Sequence, residues 1–379
     1  MLEARGVAIT RSDRHKLLDS LLDDLFGYGP LQPLLEDPSI TMIMVNGPKD
    51  VFFGHRGQIR RAAVAYHDDA HVMHHIDRII ASQGGEIDDN SPLYEAQLSN
   101  GSQVTAVLPP VAVNGPSLTI QKFSKKPFQI EDLIRFGSMT PEMGEFLRAC
   151  VIARLNVVVS GGTNAGKTTL ANILAGFIWN TERIITIEET PALKLRQENV
   201  LSLACHQPDI NRNITMADLV EIAERMRPDR LVIDNLKGPE AFRVIQAMNS
   251  GYDGTIATLH SNSPRDTLLR LETMCMMAGM SLSPEVIRYE FASAVDLIVH
   301  QERLRTGTRK IVKVTEVQGI DKGEIILADI FIFEKTGVEA GRVIGRIKPT
   351  GLRPKFIRVI EEAGIHLPPA IFGIGPPRY

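Results

Sequence analysis

The chain holds few cysteines, a single tryptophan and no strong charge bias: three Cys and one Trp in 379 residues, with a net charge of −3. Cys150, Cys205 and Cys275 lie far apart and none has a C-x-x-C partner. That excludes a disulfide framework and a structural zinc site, and fits buried thiols in a reducing compartment. The near-neutral charge gives no general attraction to nucleic acid or anionic lipid, and no basic groove interleaved with aromatics is present. No apolar run approaches the roughly 18 residues that span a bilayer. The longest, such as "LNVVVSGG", are strand-sized. The opening "MLEARGVAITRSDRHK" lacks the apolar region of a signal peptide. The expectation is a soluble, cytoplasmic protein that meets a membrane only through a partner.

What is present is globular: 44% hydrophobic and 23% charged residues, in a length that suggests two domains. Residues 1–35 read as an N-terminal helical segment, amphipathic from 15 and broken by "GYGP". Residues 36–123 read as a small α+β domain. Its strands are "ITMIMVNG" and "VFFGHRGQIRRA", joined by a "GPKD" turn, then "GSQVTAVLPP" and "PSLTIQKF", with a helix from about Asp69 to Ser82. A polar, proline-containing linker over 124–140 leads into a second domain at 141–350. There short, nearly continuous apolar strands ("LNVVVSG", "RIITIEE", "VLSLAC", "RLVIDN", "GTIATLH") alternate with helices, the pattern of a sheet covered on both faces. "TPEM", "SPRD" and "SPEV" each place Thr or Ser at an N-cap and Pro at the first helical position. An antiparallel meander ("VDLIVHQERL", "RKIVKVTEVQGI", "EIILADIFIFE") is expected after Ala294, and residues 351–379, rich in Pro and Gly, read as a tail.

Between the strand "LNVVVSG" and the helix "TTLANILAGF" lies Gly161-Gly162-Thr163-Asn164-Ala165-Gly166-Lys167-Thr168, which satisfies G-x-x-x-x-G-K-[ST] in its required strand-to-helix context. Glycines let backbone N–H groups curl around phosphates, and the helix directs its positive end at them. Lys167 is placed to reach the β- and γ-phosphates and Thr168 to offer its hydroxyl to Mg²⁺, with Thr169 following in the helix. The chain is expected to bind ATP with Mg²⁺.

Other stretches extend the pattern: "FGYGPLQPLLEDPSITMIMVNGP", "ITIEET", "RMRPDRLVI", "QAMNSGYDGTIATLHSNSPRDTLLRLE", "ASAVDLIVHQ" and "PTGLRPKF". On these segments the chain resembles the CpaF-type ATPases of tight-adherence pilus systems, within the type II/type IV secretion ATPase superfamily. The resemblance implies a RecA-like P-loop core with a smaller N-terminal α+β (PAS-like) domain. It also implies a homo- or hetero-hexameric ring at an inner-membrane pilus or secretion platform protein, driving pilin assembly or secretion. It assigns the acidic box to Glu188 and Glu189 and the histidine box to His260.

The departures from that family concentrate at catalytic positions. The strand at 231–235 ends in Asp234-Asn235, where the family has Gly-Glu, and Lys237 stands in place of an arginine. Ala192 replaces the last acid of the acidic box; Ser202, Ala204 and His206 replace an Arg-x-Glu-x-Arg stretch; Gln97, Gln103 and Gln121 replace first-domain arginines; and Asn164-Ala165 replace Gly-Ser. An arginine that meets charge developing on a phosphoryl group is worth about 10³- to 10⁵-fold in rate, and a general base about 10²- to 10⁴-fold. Asn235 can orient a water but cannot take its proton. These changes describe a site that binds nucleotide and turns it over slowly, as a scaffold or regulatory subunit beside an active paralogue in a mixed ring would. Against that, Asp234 ends an apolar strand as a Mg²⁺ carboxylate does, Glu188 or Glu189 could handle the water, and Lys122, Lys125, Lys126 and Arg135 keep positive charge near the linker.

His67, His71 and His75 recur every four residues with His74 beside them, but no carboxylate or cysteine completes a metal set, and a solvated helix face is expected. "LETMCMMAGM" reads as helix core.

Overall fold

The computed structural model describes residues 27–375 apart from 56–57, 99–100, 123–127, 206–213, 280–281, 305 and 340–341. Most of the N-terminal helical segment, Lys125, Lys126 and His206 therefore lie outside the described residues. The chain divides into two compact units, Met1–Lys125 and Lys126–Tyr379.

In the first unit a short helix, α1 (Gln32–Glu36), precedes β1 (Ile40–Asn46), β2 (Val51–His55), β3 (Gln58–Arg61), α2 (Asp69–Ala81), β4 (Leu93–Gln97), β5 (Gln103–Val107) and β6 (Ser117–Gln121). The strands form one antiparallel sheet in the order β3-β2-β1-β6-β5-β4. Alternation along β5 and β6 buries Val104, Ala106, Leu118 and Ile120 in the core that also takes Val72, Ile76, Ile79 and Ile80 from one stripe of α2. The Asp68 side chain caps that helix by accepting from the His71 N–H at 2.9 Å. Two expectations are corrected. "VFFGHRGQIRRA" is a hairpin of two strands, not one strand, and "LYEAQ" pairs as β4 although its mixed polar composition hid it.

The second unit runs α3 (Ile130–Arg135), α4 (Pro141–Ile152), β7 (Val157–Gly161), α5 (Lys167–Ala175), β8 (Ile184–Glu188), β9 (Val200–Ala204), α6 (Met216–Arg225), β10 (Arg230–Leu236), α7 (Glu240–Asn249) and β11 (Ile256–His260). It continues through α8 (Pro264–Met277), α9 (Pro284–Ala294), β12 (Leu297–Arg303), β13 (Arg309–Asp321), β14 (Glu324–Glu339), β15 (Arg342–Pro349) and α10 (Ile357–Glu362). The sheet order is β15-β14-β13-β12-β7-β11-β10-β8-β9. From β12 to β9 neighbouring strands are parallel; β12 to β15 form the antiparallel meander. The central strands β7 and β8 are buried at every residue, because helices cover both faces; β9, at the edge, is not. Thr140, Ser263 and Ser283 cap α4, α8 and α9 through bonds to the Met143, Asp266 and Val286 N–H groups, each with Pro in the first turn.

The segment read as a tail is corrected too. Ile360, Ile371 and Phe372 are buried in the same cluster as Phe146 and Phe331, and Phe146 contacts the rings of Phe331, Phe356 and Phe372. Buried Glu316 on β13 accepts the Lys355 N–H at 2.6 Å and the Phe356 N–H at 3.4 Å, fastening the approach to α10. Isolated apolar residues among prolines and glycines carry no periodicity, so the sequence pattern does not reveal this packing.

Candidate functional site

The G-x-x-x-x-G-K-T stretch leaves the carboxyl end of β7 and enters α5. Gly161 is paired with Gln301 of β12, and a Cβ on Gly161 would stand 2.1 Å from the Gln301 carbonyl oxygen, so only glycine fits. Asn164 (φ 59°) and Gly166 (φ 96°) take left-handed backbone conformations, which turn the loop twice before α5 starts. Gly162 has open space where a side chain would be; Thr163 and Asn164 are exposed, and Ala165 is fully buried as the loop's anchor. The Lys167 Nζ donates to the Gly162 carbonyl at 3.0 Å and arches over the loop. Burial lowers the Lys167 pKa, while Asp234 pulls it back up. Thr169 lies half-buried in the first turn of α5. The result is a glycine-lined loop with Lys167 laid over it and a helix N-terminus behind it, which fits the polyphosphate of a nucleotide.

Asp234, near the end of β10, is brought to this loop. Its Oδ2 accepts from Thr168 Oγ1 at 2.8 Å and its Oδ1 from Thr258 Oγ1 at 2.6 Å. Desolvation raises its pKa, and the two hydroxyl bonds and Lys167 oppose that rise. Thr168 and Asp234 are thus the pair that would hold Mg²⁺: a hydroxyl and a carboxylate oxygen, the hard donors that Mg²⁺ takes. Asn235 follows in a left-handed conformation (φ 65°), where β10 breaks register with β11 between Ile233 and Leu236. Its N–H donates to Thr258 Oγ1 at 2.8 Å. Thr258 therefore ties both residues to β11; its place two residues before His260, on the same face of the strand, was the available signal for it.

The two glutamates separate. Glu188 ends β8, is 1% exposed, and its Oε1 accepts from the Ala192 and Leu193 N–H groups at 2.7 and 2.8 Å. Burial raises its pKa to about 7, the backbone bonds opposing and Asp234 adding to the rise. Glu189 points outward, and both its oxygens accept from Lys237 Nζ at 2.6 and 2.7 Å. His260 ends β11 in register with Gly161, and its pKa is lowered by desolvation and then by Lys167 and Arg270.

Three side chains absent from the sequence reading also line this region. His300 of β12 is buried, with Nδ1 2.9 Å from Ser160 Oγ, and burial lowers its pKa to about 4. Gln301 lies under the loop, and Arg309 of β13 donates from Nε to the Asn164 carbonyl at 3.0 Å. Nothing in local sequence marks them; they reach the loop through the β7–β12–β13 pairing.

Gln97, Gln103 and Gln121 belong to the first unit, where strand register places them side by side across β4, β5 and β6. Lys122 is engaged there as well, donating to the Leu34 and Asp37 carbonyls. Arg135 pairs with Asp132 within α3. In α2, His71 and His75 bring their Nε2 atoms to 3.0 Å and pack edge-on against Tyr66; no cluster of three or more metal-ligating side chains occurs among the described residues. No helix among the described residues is long and apolar enough to cross a membrane.

A largely parallel α/β sheet with a phosphate loop between β7 and the following helix, and a carboxylate on β10, separated from β7 by the intervening strand β11, defines a RecA-like P-loop protein. Residues 24–340 match the family model described as type II/IV secretion system protein, and the chain belongs to that family. It is 32% identical over 308 residues to the conjugal transfer protein TrbB of Rhizobium radiobacter, covering 80% of this chain and 90% of that one. It is 30% identical over 302 residues to a putative conjugal transfer protein of Mycobacterium tuberculosis, covering 78% and 85%. The fold is shared with the pilus retraction motor PilT, solved with bound ADP, at a TM-score of 0.52 and 14% identity, covering 88% of this chain and 85% of that one.

Proposed function

We propose that the chain is an ATP-binding secretion or pilus-assembly ATPase subunit of the CpaF kind, coupling nucleotide binding to pilin assembly or secretion, with hydrolysis weak or absent. ATP enters the 161–169 loop; Thr168 and Asp234 would hold its Mg²⁺, which would supply neutralisation of phosphate charge. Lys167 releases the Gly162 carbonyl and turns to the phosphates, while His260 faces the same end of the loop.

The observation that carries the slow-turnover reading is the state of the carboxylates. Asn235 occupies the kinked strand end, Glu188 is sealed against the 192–193 backbone, and Glu189 is held by Lys237. None of the three offers a free carboxylate to an attacking water. The working-motor alternative is favoured by the Thr168–Asp234 bond, with Glu189 freed from Lys237 as base; that exposed ion pair is worth only about 0–1 kcal/mol. On either reading the subunit works in a hexamer, uniform or mixed with an active paralogue, on the cytoplasmic side of an inner-membrane platform protein.

Phosphate release from Mg-ATP, measured at ring-forming protein concentration beside nucleotide binding, tests this. Tight binding with turnover no faster than in Lys167→Ala is expected. Turnover clearly above that control would establish the motor; absence of nucleotide binding would remove both readings.

A further inference from the structure

Gln301 is a polar residue on an otherwise apolar face. It follows Leu297 and Val299 at two-residue spacing on β12, and those two belong to the core that also holds Leu170 and Leu174 of α5. Gln301 is 2% exposed, and its Oε1 is buried with no hydrogen-bond partner among the described residues. A buried amide oxygen without a donor is destabilising, and an apolar side chain of the same length would fill the space without that cost. The strand is also irregular here: the β12–β13 register shifts between His300 and Gln301. Such breaks re-aim a side chain and recur beside functional sites. The amide meets the phosphate loop. Gln301 pairs with Gly161 where the loop starts, and its Nε2 lies 3.5 Å from where a Cβ on Gly166 would stand, where the loop ends.

We propose that Gln301 is a positioning residue of the nucleotide site: it is the floor of the phosphate loop, and its amide gains hydrogen bonds to the loop backbone when a polyphosphate fills the loop. The inference rests on the nucleotide-binding reading and adds to it a residue outside the G-x-x-x-x-G-K-T motif. The loop has to resettle on binding, since the Gly162 carbonyl loses its Lys167 donor as that side chain turns to the phosphates. A loop that settles onto Gln301 makes the hydrogen bond that the arrangement seen here leaves unmade. Stability is thereby exchanged for grip on the phosphates, a common trade at binding sites.

The test combines melting without added ligand and displacement of a fluorescent ATP analogue by ATP, ADP and inorganic pyrophosphate, on the full chain and on Gln301→Met and Gln301→Leu. Methionine keeps the length and removes the amide. Its variant should melt at or above the wild-type temperature and yet bind all three ligands about fivefold more weakly, the scale of one net hydrogen bond. The loss should be equal for the three, because the residue acts through the loop that holds the phosphates and not through the base. Gln301→Leu repeats the comparison with a second apolar shape, so that poor packing of one side chain is not mistaken for the effect. Wild-type affinity in a folded variant would overturn the inference. So would an affinity loss matched in both variants by a lower melting temperature, which would make Gln301 structural alone, or a loss confined to ATP and ADP. If the wild-type chain melted as a folded protein but bound neither nucleotide nor pyrophosphate, the nucleotide-binding reading would fail first, and the role of Gln301 with it.

Discussion

Above pH 4.5 the unfolded chain surrenders the Glu188 proton, whereas the folded chain keeps it up to about 7. Stability therefore falls as pH rises through that window, because the native state binds more protons than the unfolded one. Glu188→Gln keeps an acceptor oxygen for the Ala192 and Leu193 N–H groups and removes the titration. In melts across this range the variant is expected to lose part of the wild-type pH dependence and to gain, above pH 7, at most roughly 3 kcal/mol relative to its difference from wild type in acid. Parallel curves would show that the carboxyl is ionised throughout. At Asn235 the backbone is left-handed (φ 65°), a conformation that Asn tolerates better than most residues. Asn235→Glu should cost about 1 kcal/mol of stability. If the missing carboxylate limits turnover, phosphate release should also rise about tenfold or more; an unchanged rate would place the limit elsewhere. The sequence showed which residue types stand at 234 and 235. It did not show the kink, because "RLVIDN" reads as an unbroken strand and the register break depends on its pairing with β11.

At the scale of elements, the strands easiest to read were the ones whose physical situation is simplest. β7, β8, β10 and β11 are covered on both faces and appear as continuous apolar runs, and the Thr/Ser-Pro starts of α4, α8 and α9 cap as their chemistry requires. β4, β15 and the last helices were harder, since edge strands carry mixed side chains and the C-terminal segment has no period. That segment yields a prediction: Phe372→Ala should cost about 3–5 kcal/mol, the usual penalty for truncating a buried phenylalanine, as measured by urea unfolding. A loss below about 1 kcal/mol would mean the segment is only loosely attached. Gly161→Ala is expected to lower both stability and nucleotide affinity, since its Cβ would meet a backbone carbonyl that cannot swing aside. Normal binding by a normally melting Gly161→Ala protein would show that β12 can move away from β7.

For the molecule as a whole, the balanced charge and the lack of a disulfide framework leave packing to hold the fold, and the nine-stranded sheet of the second unit is open rather than closed. Among the described residues its two outer strands, β9 and β15, each have one side without a strand partner in that sheet. On β15, Arg346 and Lys348 are partly to largely exposed and both pair with Glu334 of β14. Charge on an outer strand discourages a second identical chain from adding to it. Replacing Arg346 and Lys348 with valine should leave nucleotide affinity intact and yet make the concentrated protein scatter light and bind amyloid dyes on standing. The sheet that positions the phosphate loop thus also sets how long the protein can be stored before it begins to template its own aggregation.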